Sequence, residues 1–374
     1  MVHVSLATTV VTALLLLSSL PVHTVATPHN WNYSLVWDVD SSSMITTPPH
    51  ILRGDKGLPV TKYNTANNGN ATTIYGNKGE MPHYQGATIV NGGLPQLGNL
   101  TVHLTKYRTS INALIPNTQY QGYCLLDYEF WRADWNSTAE VYRTKSVELA
   151  NGNVALATQQ YEKATQRFIL ATINETRRLR PGCKMGFYGY PRNNLPFVPT
   201  PQYKSWCRQV PYRCWFKGYD QQEAGRRQKA LNDKLLWLFA ALDVITPSIY
   251  LGILPQQTTA AANEQYVRST VMEAARLAKL VGAASQDKRP KVLPFGSFAY
   301  NNYWQQATGP REFLTLEDLR IEFELPRAAG ADGMLIWGAV DHGRASVNTT
   351  AGVHELQVYV DQVFSVVVKE LFGG

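Results

Sequence analysis

Short apolar runs that resemble strands alternate with longer amphipathic segments along almost the whole chain, and this alternation constrains the fold most. The strand-like runs are Ser34–Val39, Thr72–Tyr75, Tyr123–Glu129, Met185–Tyr190, Val244–Leu251, Lys291–Phe295 and Gly333–Gly338. Strands that alternate with helices pair in parallel through right-handed crossovers. About seven such units without a linker predict a single-domain α/β barrel of seven or eight strands. An open doubly wound sheet is the alternative.

The segments between these runs carry apolar residues at helical spacing. One helix is predicted from Leu100 to Leu114, where Pro116 ends it, and a longer helical region runs up to Leu179. Thr315 can cap a helix that begins at Leu316. Further helices are predicted near residues 230–241, 266–281 and 353–367.

The run Tyr123–Glu129 ends on two acidic residues, Asp127 and Glu129, which are two positions apart. In a strand, such residues share one face with their Cα atoms about 6–7 Å apart, while Leu126 and Tyr128 face the other way. Two carboxyl groups held so close resist ionising together, which suits a proton donor working near neutral pH. Taken alone, however, this pattern is more typical of a solvated strand end.

Aromatic residues occupy the ends of three other predicted strands: Tyr188, Tyr250 and Trp337. In a βα barrel, the functional groups gather at the carboxyl ends of the strands, where Asp127 and Glu129 also fall. This coincidence favours a site over a solvated strand end. Buried structural tyrosines and a core tryptophan remain the alternative for the aromatic residues.

The N-terminal 26 residues contain no Lys, Arg, Asp or Glu, and Val10–Leu17 forms an apolar core before Pro21. This pattern is typical of a secretory signal peptide, with the folded domain over 27–374. A secreted protein, extracellular or lysosomal, is therefore expected. Sequons for N-glycosylation agree with this route and begin at Asn32, Asn70, Asn99, Asn136, Asn174 and Asn348.

The formal net charge of +7 favours an extracellular polyanion as the partner over nucleic acid. No segment is long enough for a membrane span, the histidines show no metal-ligand spacing, and no cofactor motif is present. A monomer is expected. Cys207 and Cys214 are predicted to bridge within one loop, whereas Cys124 and Cys183 are either buried thiols or a second bridge.

Five ordered blocks resemble the hyaluronidases of the animal and venom type, a glycoside hydrolase family. They are Asn91–Leu100 (NGGLPQLGNL), Leu126–Arg132 (LDYEFWR), Gly186–Pro191 (GFYGYP), Pro247–Leu251 (PSIYL) and Gly330–Gly338 (GADGMLIWG). The similarity extends over nearly the whole chain after the signal peptide.

The resemblance implies a distorted (β/α)7 barrel that hydrolyses β-1,4 bonds of hyaluronan, with the acetamido oxygen of the substrate as nucleophile. It implies that Glu129 is the acid and then the base, while Asp127 orients the acetamido group. Tyr188, Tyr250 and Trp337 would hold that group. Substrate-binding roles are also implied for Tyr75, in the early loop, and for Arg132.

Departures from the family's pattern bear on stability more than on chemistry. Arg192–Asn194 stand where the family has a cysteine after the tyrosine-rich block, and Ala133 replaces a usual proline. Ser41–Met44 lacks the cysteine that the family ties to its C-terminal end, and no cysteine-rich C-terminal module is expected.

Three other functions compete with hyaluronan hydrolysis. A chitinase is disfavoured because Leu125 occupies the position of that family's first aspartate. A chondroitin hydrolase of the same fold differs only in one sugar hydroxyl. A non-catalytic protein that binds glycosaminoglycans is disfavoured because both carboxylates and all three aromatic residues are present.

Overall fold

Parallel strands alternate with helices in the computed structural model, as the sequence pattern predicts. The structure describes residues 33–40, 60–61, 71–192, 219, 223–251, 259–284, 289–300, 313–339 and 358–372. All of them lie in one compact unit that spans residues 31–374. The predicted signal peptide lies outside the described residues.

Most strands belong to two parallel sheets. The strands are β1 (Ser34–Asp40), β2 (Val60–Thr61), β3 (Ala71–Tyr75), β4 (His83–Gln85), β5 (Thr88–Val90), β6 (Tyr123–Asp127), β7 (Lys184–Tyr188), β8 (Val244–Thr246), β9 (Lys291–Val292), β10 (Phe295–Gly296) and β11 (Gly333–Ala339). One sheet has the order β3-β6-β7-β8-β9, and the other has the order β10-β11-β1-β2. The remaining strands, β4 and β5, form an antiparallel hairpin that the sequence patterns did not predict.

Hydrogen bonds connect the two parallel sheets through the segment that contains β9 and β10. The Phe295 amide donates to the Pro247 carbonyl at 2.8 Å, and the Ile249 amide donates to the Phe295 carbonyl at 3.0 Å. On the other side, β1 contacts β3, and Tyr123 hydrogen-bonds Ser34. The strands therefore form a curved, mixed α/β arrangement with parallel pairing. Full closure into seven barrel strands remains a prediction.

Apolar side chains pack on both faces of the parallel strands. The larger cluster, which we call the outer cluster, packs against the helices and includes Leu126, Met185 and Ile336. The smaller cluster, which we call the inner layer, lies on the opposite face. Its members are Val36, Ala71, Leu125, Val244, Tyr250, Leu293, Phe295 and Leu335. Because side chains alternate along a strand, Asp127 lies on the same face as Leu125.

Gly186 shows how closely the strands pack in the inner layer. A Cβ atom added there would lie 2.7 Å from Leu125 Cδ2 and 2.8 Å from Val244 Cγ2. Side chains from the strands on both sides of β7 therefore occupy the space that a larger residue would need. This close packing fixes the position of Tyr188, two residues further along the same face.

Helices cover the outer face of the strands. They are α1 (Leu100–Leu114), α2 (Glu140–Leu149), α3 (Val154–Leu179), α4 (Glu223–Lys234), α5 (Leu236–Ala240), α6 (Ala260–Ala284), α7 (Leu316–Phe323), α8 (Leu325–Ala328) and α9 (Ser365–Phe372). A π-helical turn, Val360–Phe364, precedes α9. Thr315 Oγ1 accepts a hydrogen bond from the Asp318 amide at 3.2 Å, which confirms the predicted cap of α7.

Several predicted boundaries were wrong by a few residues. The helical region before Leu179 is two helices, because Asn151 and Gly152 form a left-handed turn with φ of 53° and 84° after α2. The predicted strand to Glu129 ends at Asp127, where its pairing with β3 stops. Likewise β8 ends at Thr246, because the following proline cannot donate to a ladder.

Cys124 and Cys183 form a disulfide, with their Cα atoms 5.8 Å apart. It joins β6 to the turn before β7. Of the two states that the sequence left open, buried thiols or a second bridge, the bridge is therefore correct. Cys207 and Cys214 lie outside the described residues. Because Cys124 and Cys183 are bonded to each other, Cys207 and Cys214 are the two cysteines left to pair. A disulfide between them stays a prediction.

Three predicted sequon asparagines lie on the surface. Asn99, Asn136 and Asn174 are exposed, so each could accept a glycan. Asn32, Asn70 and Asn348 lie outside the described residues, and glycosylation at all six positions remains a prediction.

Candidate active site

Asp127 ends β6 on the inner face, directly beside Tyr75 of β3. The two residues are register partners. Paired residues on neighbouring strands lie about 5 Å apart and point to the same face. The Tyr75 side chain is 37% exposed, so it forms part of the accessible surface next to Asp127.

Glu129 lies two residues beyond β6, and its side chain is 53% exposed. Its Oε1 atom accepts hydrogen bonds from Arg132 Nη2 and Arg192 Nη2, both at 3.3 Å. The two guanidinium groups restrain the carboxyl group, while its exposure keeps it accessible. A group that transfers protons to and from a bound substrate needs both properties.

Neighbouring residues anchor the segment that carries Glu129. The Tyr128 hydroxyl donates to the Lys78 carbonyl at 2.9 Å, and Trp131 Nε1 donates to the Pro82 carbonyl at 2.7 Å. Both aromatic side chains are buried in the outer cluster. The alternation predicted from the sequence therefore continues past the end of the strand, with Tyr128 directed away from the face of Asp127.

Tyr188 connects the two acidic residues electrostatically. Burial, together with the negative charges of Glu129 and Asp127, raises the pKa of its hydroxyl to about 12, while a hydrogen bond with Ser248 opposes this rise. Both carboxyl groups are thus close enough to act on one phenol. The hydroxyl keeps its proton at neutral pH and can serve as a hydrogen-bond donor.

The three predicted aromatic residues form one wall. The Tyr188 and Tyr250 ring centroids lie 6.3 Å apart, and those of Tyr250 and Trp337 lie 5.9 Å apart. Phe295 of the inner layer supports Tyr188 through an edge-to-face contact at 5.2 Å. Tyr188 and Trp337 are half-buried and Tyr250 is buried behind them, so the exposed parts of Tyr188 and Trp337 can offer apolar faces to the C–H groups of a sugar. All seven predicted active-site side chains are therefore described, and they gather at one end of the parallel strands.

Arg192 is the residue that the sequence analysis did not assign to the site. It was noted only as a departure at the position after the tyrosine-rich block. Its guanidinium contacts Glu129 and also lies over the Tyr190 ring, 5.7 Å from the centroid. The sequence did carry one signal for Arg192: it lies just after the predicted strand that carries Tyr188, and so near the same strand end.

The Arg132 and Arg192 side chains are 17% and 19% exposed. Burial lowers the pKa of Arg192, and the positive charge of Arg132 lowers it further. The two like charges are therefore close together and poorly solvated beside Glu129.

The described residues lack the features of two other protein classes, a metal centre and a membrane-spanning helix. Within the described ranges, no group of three or more His, Cys, Asp or Glu is placed to hold a metal ion. In the same ranges, no helix combines the length and apolar character needed to cross a membrane.

Residues 29–371 match the sequence profile of the family described as hyaluronidase. The chain belongs to the hyaluronidase family. The hyaluronidase of Apis mellifera is 31% identical to it over 297 residues, which are 75% of this chain and 67% of that protein. Hyaluronidase-4 of Cerastes cerastes is 29% identical over 300 residues, which are 76% of this chain and 60% of that protein. The matched region is thus about two thirds of the length of these relatives.

The fold of this hyaluronidase family member is similar to that of bee venom hyaluronidase. The monoclinic crystal structure of that protein gives a TM-score of 0.71 at 25% identity and covers 90% of this chain and 99% of the other. Its complex with a hyaluronic acid tetramer gives 0.69 at 26% identity, covering 91% and 99%. These matches confirm the predicted family, its enzyme class and its α/β fold. The roles of individual residues remain proposals.

Proposed function

We propose that this protein is an endo-β-N-acetylhexosaminidase that hydrolyses the β-1,4 bonds of hyaluronan with retention of configuration. The observation that carries the proposal is the accessible Glu129 carboxyl group, held beside Asp127 and an aromatic wall at one end of the parallel strands. The bee venom relative, described in complex with a hyaluronic acid tetramer, supports a polysaccharide as substrate.

In the first step, the acetamido oxygen of the bound N-acetylglucosamine attacks its own anomeric carbon. Glu129 donates its proton to the leaving glycosidic oxygen, so the bond to that oxygen breaks as the new C–O bond forms. The product is a cyclic oxazolinium ion and a shortened chain. Because the substrate supplies the nucleophile, no covalent bond to the protein is needed, unlike in glycosidases that use a carboxylate nucleophile.

In the second step, water attacks the anomeric carbon from the side that the leaving group vacated. Glu129, now ionised, takes a proton from this water, and the bond to the acetamido oxygen breaks. Two inversions at one carbon restore the β configuration. The same carboxyl group acts first as acid and then as base. Because Arg132 and Arg192 restrain it, it can serve in both steps without a change of position.

Asp127 and the aromatic wall position the acetamido group. A carboxylate at the end of β6 can accept a hydrogen bond from the amide N–H and stabilise the positive charge of the oxazolinium ion. The Tyr188 hydroxyl, whose pKa is raised to about 12, is protonated at neutral pH, so it can donate to the acetamido oxygen. Tyr250 and Trp337 supply the apolar surface beneath the sugar.

We further propose that the protein is secreted. The charge-free N-terminal segment, the exposed sequons at Asn99, Asn136 and Asn174 and the disulfide between Cys124 and Cys183 support this. Disulfides persist mainly in oxidising compartments on the secretory route.

An assay of new reducing ends tests the proposed activity. Purified protein is incubated with hyaluronan and, separately, with unsulfated chondroitin, while absorbance from unsaturated uronate is recorded. We expect new reducing ends from hyaluronan without ultraviolet absorbance. Cleavage of chondroitin alone would reassign the substrate, an absorbance rise would indicate a lyase, and folded protein that cleaves neither polymer would refute the enzyme proposal.

A further inference from the structure

Two guanidinium groups beside Glu129 have hydrogen-bonding capacity that the described residues do not use. Arg132 Nη1 and Arg192 Nε are buried, and neither has a hydrogen-bond acceptor within the described part of the chain. Their bonds to Glu129 Oε1 are long, at 3.3 Å each. Among the described residues, the same carboxylate oxygen thus accepts from both guanidinium groups, while one buried nitrogen of each group lacks an acceptor.

The packing around Arg192 holds its guanidinium in this position. Gly189 has a positive φ of 76°, and a Cβ atom there would lie 3.3 Å from Arg192 Nη2. The Tyr190 ring lies beneath the guanidinium, and the Tyr190 hydroxyl accepts a hydrogen bond from the Ala133 amide at 3.0 Å. The cation is therefore part of a built site and does not reach Glu129 from a flexible surface position.

A buried cation without enough acceptors is unfavourable unless a ligand supplies them. The substrate of the proposed reaction carries such an acceptor close to the reacting atoms. In hyaluronan, the leaving oxygen is attached to C4 of glucuronate, and the carboxylate is attached through C5, the adjacent ring carbon. The uronate carboxylate is thus within reach of long side chains that contact the carboxyl group protonating this oxygen.

We propose that Arg192, together with Arg132, binds the carboxylate of the leaving uronic acid. This inference rests on the proposed function and adds the residues that select an anionic sugar on the leaving side of the bond. A planar guanidinium can form paired hydrogen bonds with a carboxylate. On binding, the substrate supplies the acceptors that the described residues lack, so an anionic leaving sugar is preferred over a neutral one.

The test compares hyaluronan with carboxyl-reduced hyaluronan, in which glucose replaces glucuronate and the acetamido group is retained. We expect Arg192→Gln to raise the KM for hyaluronan about tenfold, the worth of one charge-assisted hydrogen bond. The KM for the neutral polymer should change less than about twofold, because this polymer has no carboxylate for Arg192 to bind. Arg192→Lys, which keeps the charge and loses the paired geometry, should lie between the wild type and Arg192→Gln on hyaluronan.

Arg178→Gln is the matched control. Arg178 also pairs with a glutamate, Glu175, with an N–O distance of 2.7 Å, but it lies near the end of α3, before the start of β7. This variant should keep the wild-type ratio of kcat/KM for the two polymers.

The ratio distinguishes recognition from a purely structural role, which would impair both substrates alike. Equal ratios in the wild type, Arg192→Gln and Arg192→Lys would refute the inference while leaving the proposed function standing. If Arg192→Gln does not fold, Arg192→Lys gives the same comparison. Wild-type protein that is folded and cleaves neither polymer would instead refute the proposed function itself.

Discussion

Glu129 is the residue on which the proposed chemistry depends, since it must release and recover one proton in each cycle. It is accessible to a substrate, yet two arginines restrain it. Tyr188 is different, because the pKa of its buried hydroxyl is raised to about 12 and the hydroxyl is therefore protonated at neutral pH. Tyr188 can therefore donate a hydrogen bond throughout the working pH range, whereas Glu129 must change its state during each cycle.

Replacing Glu129 with glutamine tests its role. Glutamine keeps the shape and can still accept a hydrogen bond from either arginine, but it cannot donate a proton to the leaving oxygen. We expect kcat on hyaluronan to fall about a thousandfold, within the usual range for loss of a general acid. The Kd for a hyaluronan oligosaccharide, measured by calorimetry, should change less than about threefold because the same contacts remain.

Glu148→Gln provides the control for this variant. Glu148 on α2 is also an exposed glutamate in an ion pair, with Lys145 Nζ at 2.8 Å, and it lies in no part of the proposed site. Its activity should equal that of the wild type. Substantial turnover by Glu129→Gln would remove Glu129 from the role of acid and base.

Among the elements, β6 and β7 carry most of the site, and the disulfide holds their N-terminal ends together. Cys124 is fully buried and Cys183 nearly so. The bond closes a loop across a separation of 59 residues, which includes α2 and α3. It lies at the opposite end of β6 from Asp127, so its contribution should be to stability and not to catalysis.

The double replacement Cys124→Ala and Cys183→Ala tests this separation of roles. We expect the free energy of unfolding to fall by about 2–5 kcal/mol, the usual effect of losing a native disulfide. Urea unfolding followed by circular dichroism would measure it. The folded fraction should keep its kcat within about twofold, since a twofold change in kcat corresponds to only about 0.4 kcal/mol of activation free energy. An unchanged unfolding midpoint would contradict the stabilising role.

Between α7 and α9, a pair of acidic residues makes stability depend on pH. Burial and a hydrogen bond with Glu370 raise the pKa of Glu324 to about 7, and Arg320 pairs with Glu370 through two hydrogen bonds of 2.9 and 2.7 Å. Folding thus favours protonated Glu324. Its stabilising contribution is fully present below the unfolded pKa of about 4.3 and is lost as the pH rises through 7.

Glu324→Gln removes this dependence, because the amide stays neutral at every pH. Since Glu324 is only partly buried, solvent screening limits the effect, and we expect a gain of about 1 kcal/mol at pH 8 relative to the wild type. The two proteins should differ much less at pH 4.5. Thermal unfolding at both pH values measures the difference in stability between the two proteins. An equal difference at both pH values would disprove the assignment to Glu324.

At the scale of the whole molecule, the order of strands and helices was predictable because each element carries its own periodic pattern. The alternation along Tyr123–Glu129 correctly placed Leu126 and Tyr128 in the outer cluster. The length of a strand was not predictable from its own residues, because pairing ends where the neighbouring strand ends. For this reason β6 stops at Asp127, opposite Tyr75.

The candidate site was predictable where its residues lie at strand ends, and less so where tertiary contacts decide. Asp127 and Tyr188 follow from strand patterns, since the carboxyl ends of parallel strands meet at one edge. Arg192 reaches Glu129 from beyond the turn at Gly189, where φ is 76°, and a glycine in a strand-like run does not by itself fix the sign of φ. The partner of Cys124 depended likewise on the register between β6 and β7.

The central claim is that the protein hydrolyses hyaluronan by substrate-assisted catalysis with retention. Proton NMR of the earliest products tests it most directly, because it records both the bond cleaved and the anomer released before mutarotation. We predict β-N-acetylglucosamine at the new reducing end, followed by slow equilibration with the α anomer. Initial release of the α anomer, vinyl signals of an unsaturated uronate, or no product from folded protein would contradict the claim.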